Sequence, residues 1–499
     1  MIIKNSSKFT QPVSVVRGAA LVIAMRWTDR LIGIASTLIL ARLLVPADFG
    51  IVAMASLVVA LIDTLLDLGV GSALIQNPNA DREDFDTAWT LRLCQALAAG
   101  LLIALLGAPL AAEYFKEPRV ENVLYLMSLT IALGGLENIG IVAFQKNMEF
   151  GRDFRFFFLR RLSGFAITVV LAFWLRSYWA MVIGALCGRI AGVWLSYLLH
   201  NFRPRFSFAR IGRIWSFSQW ILVRNLGTYG AQQTDKLLVG RFNDAGAMGA
   251  YSLADEISAM PTNEVLMPLG RVLFPAFVRV IDKPAELRRA FCLALGVQAL
   301  VALPAGIGLA LVAPIAVPLL LGPQWAAAIP FVQLLALMNI AVALTHSSGY
   351  LLLALGKVRL QAVISWLQFG VLATLAVFVF PSGNAVWIAG IRLAVSFIAM
   401  CLLLFLVLKA LPFLTWRDLF AHSWRPVCAS AAMVGVLSIT QWPAYWSSAV
   451  IFVATIALGA TAYALTIWLS WRVAGMPKGA ESYLLGKLAF KRWPGSRHS

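Results

Sequence analysis

Charge is scarce in this chain, and acid is scarcer than base: 13% of its 499 residues are charged, with 23 Asp plus Glu against 41 Lys plus Arg and only 4 His. The outer loops are only a few residues long and form no sizeable domain to carry a catalytic carboxylate pair or His cluster, which argues against an enzyme. No GxxxxGK[ST] run is present, so a built-in ATPase is excluded. The 5 cysteines, Cys94, Cys187, Cys292, Cys401 and Cys428, lie in or beside apolar stretches without a CxxC pair, and neither a disulfide framework nor a metal cluster is implied. The opening MIIKNSSKFTQPVS lacks the apolar core and small-residue cleavage site of a removable signal peptide, so the first apolar segment is expected to direct insertion.

What is abundant is hydrophobicity. Sixty per cent of the residues are hydrophobic, mean hydropathy is +0.81, and apolar stretches of about 20 residues recur from end to end. Windows long enough to cross a bilayer fall near 15–41, 49–74, 86–112, 120–144, 154–175, 178–200, 214–240, 246–272, 288–313, 325–353, 358–380, 384–408, 424–441 and 446–470. The expected fold is therefore an all-α integral membrane protein of about 14 transmembrane helices. The first, seventh and eighth segments are the least hydrophobic, and their polar residues need an explanation of their own.

Most of the net charge of +18 reads as an orientation signal. Loops of one parity carry clusters such as Lys146, Arg152, Arg155, Arg160 and Arg161, or Arg203, Arg205, Arg210 and Arg213; loops of the other parity carry only Arg42, Lys116, Arg119, Arg176 and Arg241. Basic short loops stay cytoplasmic, so both termini are expected inside a bacterial inner membrane, with a basic tail over 471–499 attracted to anionic lipid. Nucleic acid is not an expected partner, because no soluble basic domain exists to bind it. Trp89 and Trp325, near segment ends, are expected in the interfacial belt.

The charges inside the apolar segments gather in two places. Arg26, Asp29 and Arg30 precede Asp63 and Asp67; some 200 residues on, Arg224, Asp235 and Lys236 precede Asp255, Glu256 and Glu264. A charge at a helix centre costs about 2.5 to 3.5 kcal/mol even on lenient insertion scales, so such residues face a bundle interior or a wet cavity. Alignment without a gap sets Arg42 to Gly50 (RLLVPADFG) on Arg241 to Gly249 (RFNDAGAMG). Two homologous six-helix lobes are expected around a central cavity, 1–203 and 214–411. A linker over 204–213 joins them, and two further helices follow in 412–470.

The stretches LILARLLVPADFGIVAMASLV, LIDTLLDLGVGSALIQ and TDKLLVGRF with GAYSLADEIS resemble the polysaccharide transporter branch of the multidrug/oligosaccharidyl-lipid/polysaccharide flippase superfamily. Within it they are most similar to flippases of undecaprenyl-diphosphate-linked sugar repeat units for exopolysaccharide, capsule or O-antigen. That resemblance implies alternating access, with a lipid-linked oligosaccharide and membrane lipids as partners and a polymerase and export machinery alongside.

Arg26 and Arg30 stand one helical turn apart, with Asp29 close enough to pair. Their planar donor forks suit diphosphate oxygens; the alternative is a structural ion-pair cluster. Asp63 and Asp67 either neutralise those arginines or carry a coupling proton or sodium ion, no other cofactor being expected. Asn225, Thr228, Gln232 and Asp235 form a polar stripe suited to sugar hydroxyls, with Arg224 available for phosphate. Helix-to-helix hydrogen bonding is the competing reading. Lys236 either lines the cavity or snorkels, and Asp255, Glu256 and Glu264 join the gating set, near Pro261 and Pro268, where the helix is expected to bend or break. Arg92, Glu137, Arg189, His346 and Arg392 each stand alone and read as satisfied interior contacts, with His346 also a candidate protonation switch.

Two rival functions remain: a multidrug or cation antiporter, which would rely on acidic cavity residues, and a cell-wall lipid-linked precursor flippase. The arginines favour an anionic cargo. Two lobes already supply a pseudo-dimer, so a monomer is expected.

Overall fold

The computed structural model describes residues 12–66, 74, 81–147, 149–209, 211, 218–379, 384–443, 445–477 and 479–482. Every regular element among them is helical. In chain order these are α1 Pro12–Leu43, α2 Pro46–Leu66, α3 Arg82–Leu102, α4 Ala108–Phe115, α5 Arg119–Gly134, α6 Val142–Lys146, α7 Phe150–Leu175 and α8 Trp179–Leu199. They continue as α9 Ser218–Phe242, α10 Ala245–Arg279, α11 Pro284–Leu320, α12 Ile329–Ala354, α13 Val358–Val379, α14 Ala385–Ala410, α15 Trp416–Ile439 and α16 Ser448–Val473. Among the described residues eight helical stretches are long and apolar enough to cross a membrane, nine if a bent pair counts as one span. Helices α1, α9, α10, α13 and α15 are not among them. The chain is thus a multi-pass α-helical membrane protein.

Two compact units divide the chain: Met1–Tyr229 with Asp244–Gly249, and Gly230–Asn243 with Ala250–Ser499. In the first, α3 starts on a capping box, Asp84 N–H donating to Asp81 at 2.9 Å and Asp81 N–H to Asp84 at 3.0 Å. A π turn over Ile103–Gly107 carries it into α4, which stops at Lys116 in the left-handed conformation, φ 55°. Helix α8 lays its small face, Gly184, Gly188 and Gly192, against α7, so close that a Cβ on Gly188 would stand 2.9 Å from the Gly164 Cα. Small residues let membrane helices pack backbone to backbone.

A second close approach joins α2 to the start of α10. A Cβ on Gly50 would strike the Ala245 carbonyl, and one on Gly249 would strike the Pro46 carbonyl. The contact is reciprocal between the very positions that the ungapped alignment pairs, 46 with 245 and 50 with 249.

The segment read as one span over 120–144 is broken. Helix α5 and the stretch Ile139–Lys146 diverge by 64°, and Asn138 holds the break from two sides. Its Oδ1 accepts from Gly140 N–H at 2.9 Å and its Nδ2 donates to the Phe202 carbonyl at 2.7 Å. The chain after α8 is bonded along α3, Arg205 N–H donating to Asp86 at 2.8 Å and Ser207 N–H to Thr90 at 3.0 Å. Trp89 packs on Phe206 in that contact and is buried, so it does not serve in an interfacial belt.

The second unit is built around the 37-residue α11. Phe277, Phe291, Leu351, Leu352, Leu403 and Val407 form its main core, and Trp325, also expected at an interface, is fully buried. Helix α10 runs past Pro261 and Pro268 as a single 35-residue element, so neither proline ends it. The segment after α16 folds back: Glu481 meets Arg425 of α15 at 2.9 Å, and both side chains are buried.

Candidate functional site

Helix α1 lies against α7 and carries Arg26 and Arg30, both half-buried, with Asp29 exposed between them. Asp29 pairs with Arg161 of α7 at 3.1 Å. Arg160 and Arg161 had counted as loop residues in the orientation argument; both stand inside α7, where each is held by a carboxylate from another element. Asp63 of α2 is exposed and within electrostatic reach of Arg189. Asp67 lies outside the described residues.

Three residues isolated in their own spans and read as interior contacts, Arg92, Glu137 and Arg189, come together with Arg160. Arg92 of α3, Arg160 of α7 and Arg189 of α8 reach Glu137 at 3.4, 3.4 and 3.7 Å. Glu137 occupies the broken stretch after α5, where Tyr197 also donates to the Leu136 carbonyl at 3.0 Å. Small residues make the space: a Cβ on Gly192 would come within 3.0 Å of Arg160 Cδ, and one on Gly134 within 3.3 Å of Arg189 Cζ. The Glu137 side chain is 7% exposed, whereas the arginines keep 28–36% of theirs open. The sequence signals only that charges inside apolar helices demand partners; it does not signal that these four are one another's.

In the first unit Arg161 meets Asp29, and Arg92, Arg160 and Arg189 share Glu137, so four arginines stand against two carboxylates in these ion pairs, an excess of base. The second unit is balanced differently. Asp235 is sealed, its Oδ1 accepting from Arg392 at 2.7 Å and its Oδ2 from the Tyr251 hydroxyl at 2.5 Å. Arg392 spends a further hydrogen on the Ala231 carbonyl at 3.1 Å. Arg392, isolated within its own span, is thus a satisfied interior contact, as the sequence suggested. Lys236 meets Asp255 at 2.7 Å, half-buried, which is an ion pair rather than snorkelling. Gln232 and Glu256 are exposed, so Gln232 and the buried Asp235 do not share one surface. The side chains of Arg224, Asn225, Thr228 and Glu264 lie outside the described residues. His346 is half-buried beside Ser347, which donates to Gln298 at 2.7 Å.

Comparison with known proteins gives one family. The profile of a family described as polysaccharide biosynthesis protein matches residues 39–330, more than half of the chain. The lipopolysaccharide biosynthesis protein WzxC of Escherichia coli (strain K12) is 26% identical over 338 residues, 66% of this chain and 68% of that protein. The succinoglycan biosynthesis transport protein ExoT of Rhizobium meliloti (strain 1021) is 26% identical over 445 residues, 87% of this chain and 88% of its own length. Among solved structures, the lipid II flippase MurJ in an inward closed conformation superposes with a TM-score of 0.73 at 12% identity, covering 91% of this chain and 99% of that one. A MATE family multidrug resistance transporter, inward-facing, gives 0.58 at 14% identity over 77% of this chain and 95% of its own. At such identities the likeness is one of fold.

Proposed function

Because the chain belongs to the polysaccharide biosynthesis protein family, we propose that it is a flippase. It carries undecaprenyl-diphosphate-linked oligosaccharide repeat units across the bacterial inner membrane, for exopolysaccharide, capsule or O-antigen synthesis. Relatives named for lipopolysaccharide biosynthesis and for succinoglycan transport support this reading, as does the fold shared with a lipid II flippase. The observation that carries it is the excess of arginine in the first unit, chemistry suited to a phosphate-bearing cargo. A cation antiporter on the same fold would need the opposite balance.

In this reading fourteen spans form two six-helix lobes and an added pair, both termini are cytoplasmic, and one copy suffices. Arg26, Arg30 and Arg224 hold the diphosphate, while Asn225, Thr228 and Gln232 line the path of the sugars. The prenyl tail stays in lipid as the lobes alternate. Asp29, Asp63, Asp67, Asp255, Glu256 and Glu264 carry gating or a coupling proton or sodium ion, and the product passes to a polymerase and export machinery.

The test is transport by purified protein in proteoliposomes loaded with a fluorescent undecaprenyl-diphosphate oligosaccharide, read by access of a membrane-impermeant quencher. Wild type is expected to move the lipid between leaflets, and the double variant Arg26→Gln, Arg30→Gln to lose about a hundredfold in rate, tenfold for each of two charge-assisted contacts. Movement of a lipophilic cation instead would establish the antiporter.

A further inference from the structure

We propose that Arg92, Arg160 and Arg189 form an oxyanion site for a phosphate group, in which the Glu137 carboxylate stands where the phosphate binds. The proposal rests on the reading above that the cargo carries phosphate.

Another buried ion pair in this protein has a closed geometry. Asp235 and Arg392 are matched one to one at 2.7 Å, and the remaining carboxylate oxygen is taken by a tyrosine. The cluster at Glu137 has a different build. Three guanidinium groups from three helices converge on one carboxylate, and each distance, 3.4 to 3.7 Å, exceeds the charge-assisted optimum of about 2.7–2.9 Å. One arginine would have sufficed to neutralise Glu137. With Asp63 in electrostatic reach of Arg189, two carboxylates stand against three arginines; the remaining positive charge adds repulsion in a setting where charge is expensive, and a structural role does not call for it.

An arriving dianion answers all of these features. It would balance the excess positive charge and take up the planar donor forks that a single carboxylate at long range leaves underused. The arginine side chains keep 28–36% of their surface exposed, whereas the Glu137 side chain keeps 7%. Glu137 also sits where α5 has ended, outside the helical ladder. Gly134 and Gly192 keep clear the room that two of the guanidinium groups occupy.

The experiment is binding to the full-length protein in nanodiscs by isothermal titration, with farnesyl diphosphate, inorganic pyrophosphate and farnesol as probes. Wild type is expected to bind the two diphosphates and not the alcohol. Arg160→Gln and Arg189→Gln are each expected to weaken binding about tenfold, and Arg160→Lys to restore part of it. Glu137→Gln is expected to tighten binding several-fold, because the competing carboxylate is gone; a structural cluster would only lose stability. Size-exclusion profiles identify any variant that fails to fold, and Glu137→Gln then decides alone. Equal affinity for both diphosphates supports the site with free phosphate as ligand, and a preference for the prenyl form supports it with a lipid-borne one. If the Gln variants of Arg160 and Arg189 bind as wild type, or Glu137→Gln binds no tighter, the site is overturned. Should wild type bind while only the Arg26→Gln, Arg30→Gln variant fails, the flippase reading stands without this site. If wild type binds no diphosphate, that reading falls as well.

Discussion

Asp235 and Arg392 meet at 2.7 Å, Asp235 almost wholly enclosed and Arg392 nearly so, and the Tyr251 hydroxyl completes the carboxylate's bonding. Removing one partner of such a pair leaves an uncompensated buried charge, which costs about 3–5 kcal/mol, whereas replacing both with apolar groups of similar size is close to neutral. Arg392→Gln is therefore expected to lower the thermal unfolding temperature in detergent sharply. The double variant Asp235→Leu, Arg392→Met is expected to recover most of the loss. If the double variant unfolds as early as the single one, the pair does more than hold α9 to α14.

The reciprocal contact of Gly50 with Ala245 and of Gly249 with Pro46 leaves no volume for a methyl group. Gly50→Ala and Gly249→Ala are each expected to cost about 1–3 kcal/mol, the usual penalty of forcing extra atoms into a packed contact. Gly151→Ala, where a Cβ meets nothing within 4 Å, serves as the neutral reference. Unfolding midpoints measured side by side check this, and equal midpoints for all three variants would refute it.

Asp418 lies ahead of the apolar stretch of α15, in a capping box with Thr415, whose N–H and hydroxyl both donate to it at 2.9 Å. Burial raises its pKa, but the hydrogen bonds from Arg288 and Thr415 outweigh it and hold the carboxyl below its ordinary value. The box is then at full strength above the ordinary carboxylate range and weakens as pH falls through the lowered value. Hydrogen exchange at the first turn of α15, corrected for its intrinsic pH dependence, is expected to quicken below about pH 4 in wild type. In Asp418→Asn the change is expected to vanish. Persistence of the same acid-dependent loosening in that variant would show that another group controls this end of the helix.

Much of the architecture was legible because bilayer-length apolar runs announce themselves, and even the weaker α1, α9 and α10 overlap the windows drawn for them, though α10 runs on to Arg279. The break at Glu137 was not. Apolar side chains continue on both sides of it, and only the pair Gly134, Gly135 and the capping Asn138 mark the spot. The candidate site was half legible. Arg26, Asp29 and Arg30 were visible as a cluster within one helix, but Arg92, Glu137, Arg160 and Arg189 sit on separate elements, and no local spacing reveals which helices are neighbours. The same holds for Asp235 and Arg392, 157 positions apart. Arg160 and Arg161 misled for another reason: arginine counts that orient a membrane protein do not separate a loop residue from one drawn inside a helix by a carboxylate.

Asn138 spends both ends of its amide on main chain, one on Gly140 and one on Phe202. The corner that carries Glu137 is for that reason a fixed bracket. A carboxylate swinging off such a mount leaves the backbone where it was, so one negative group can replace another there by side-chain rotation alone, with nothing to refold between visits.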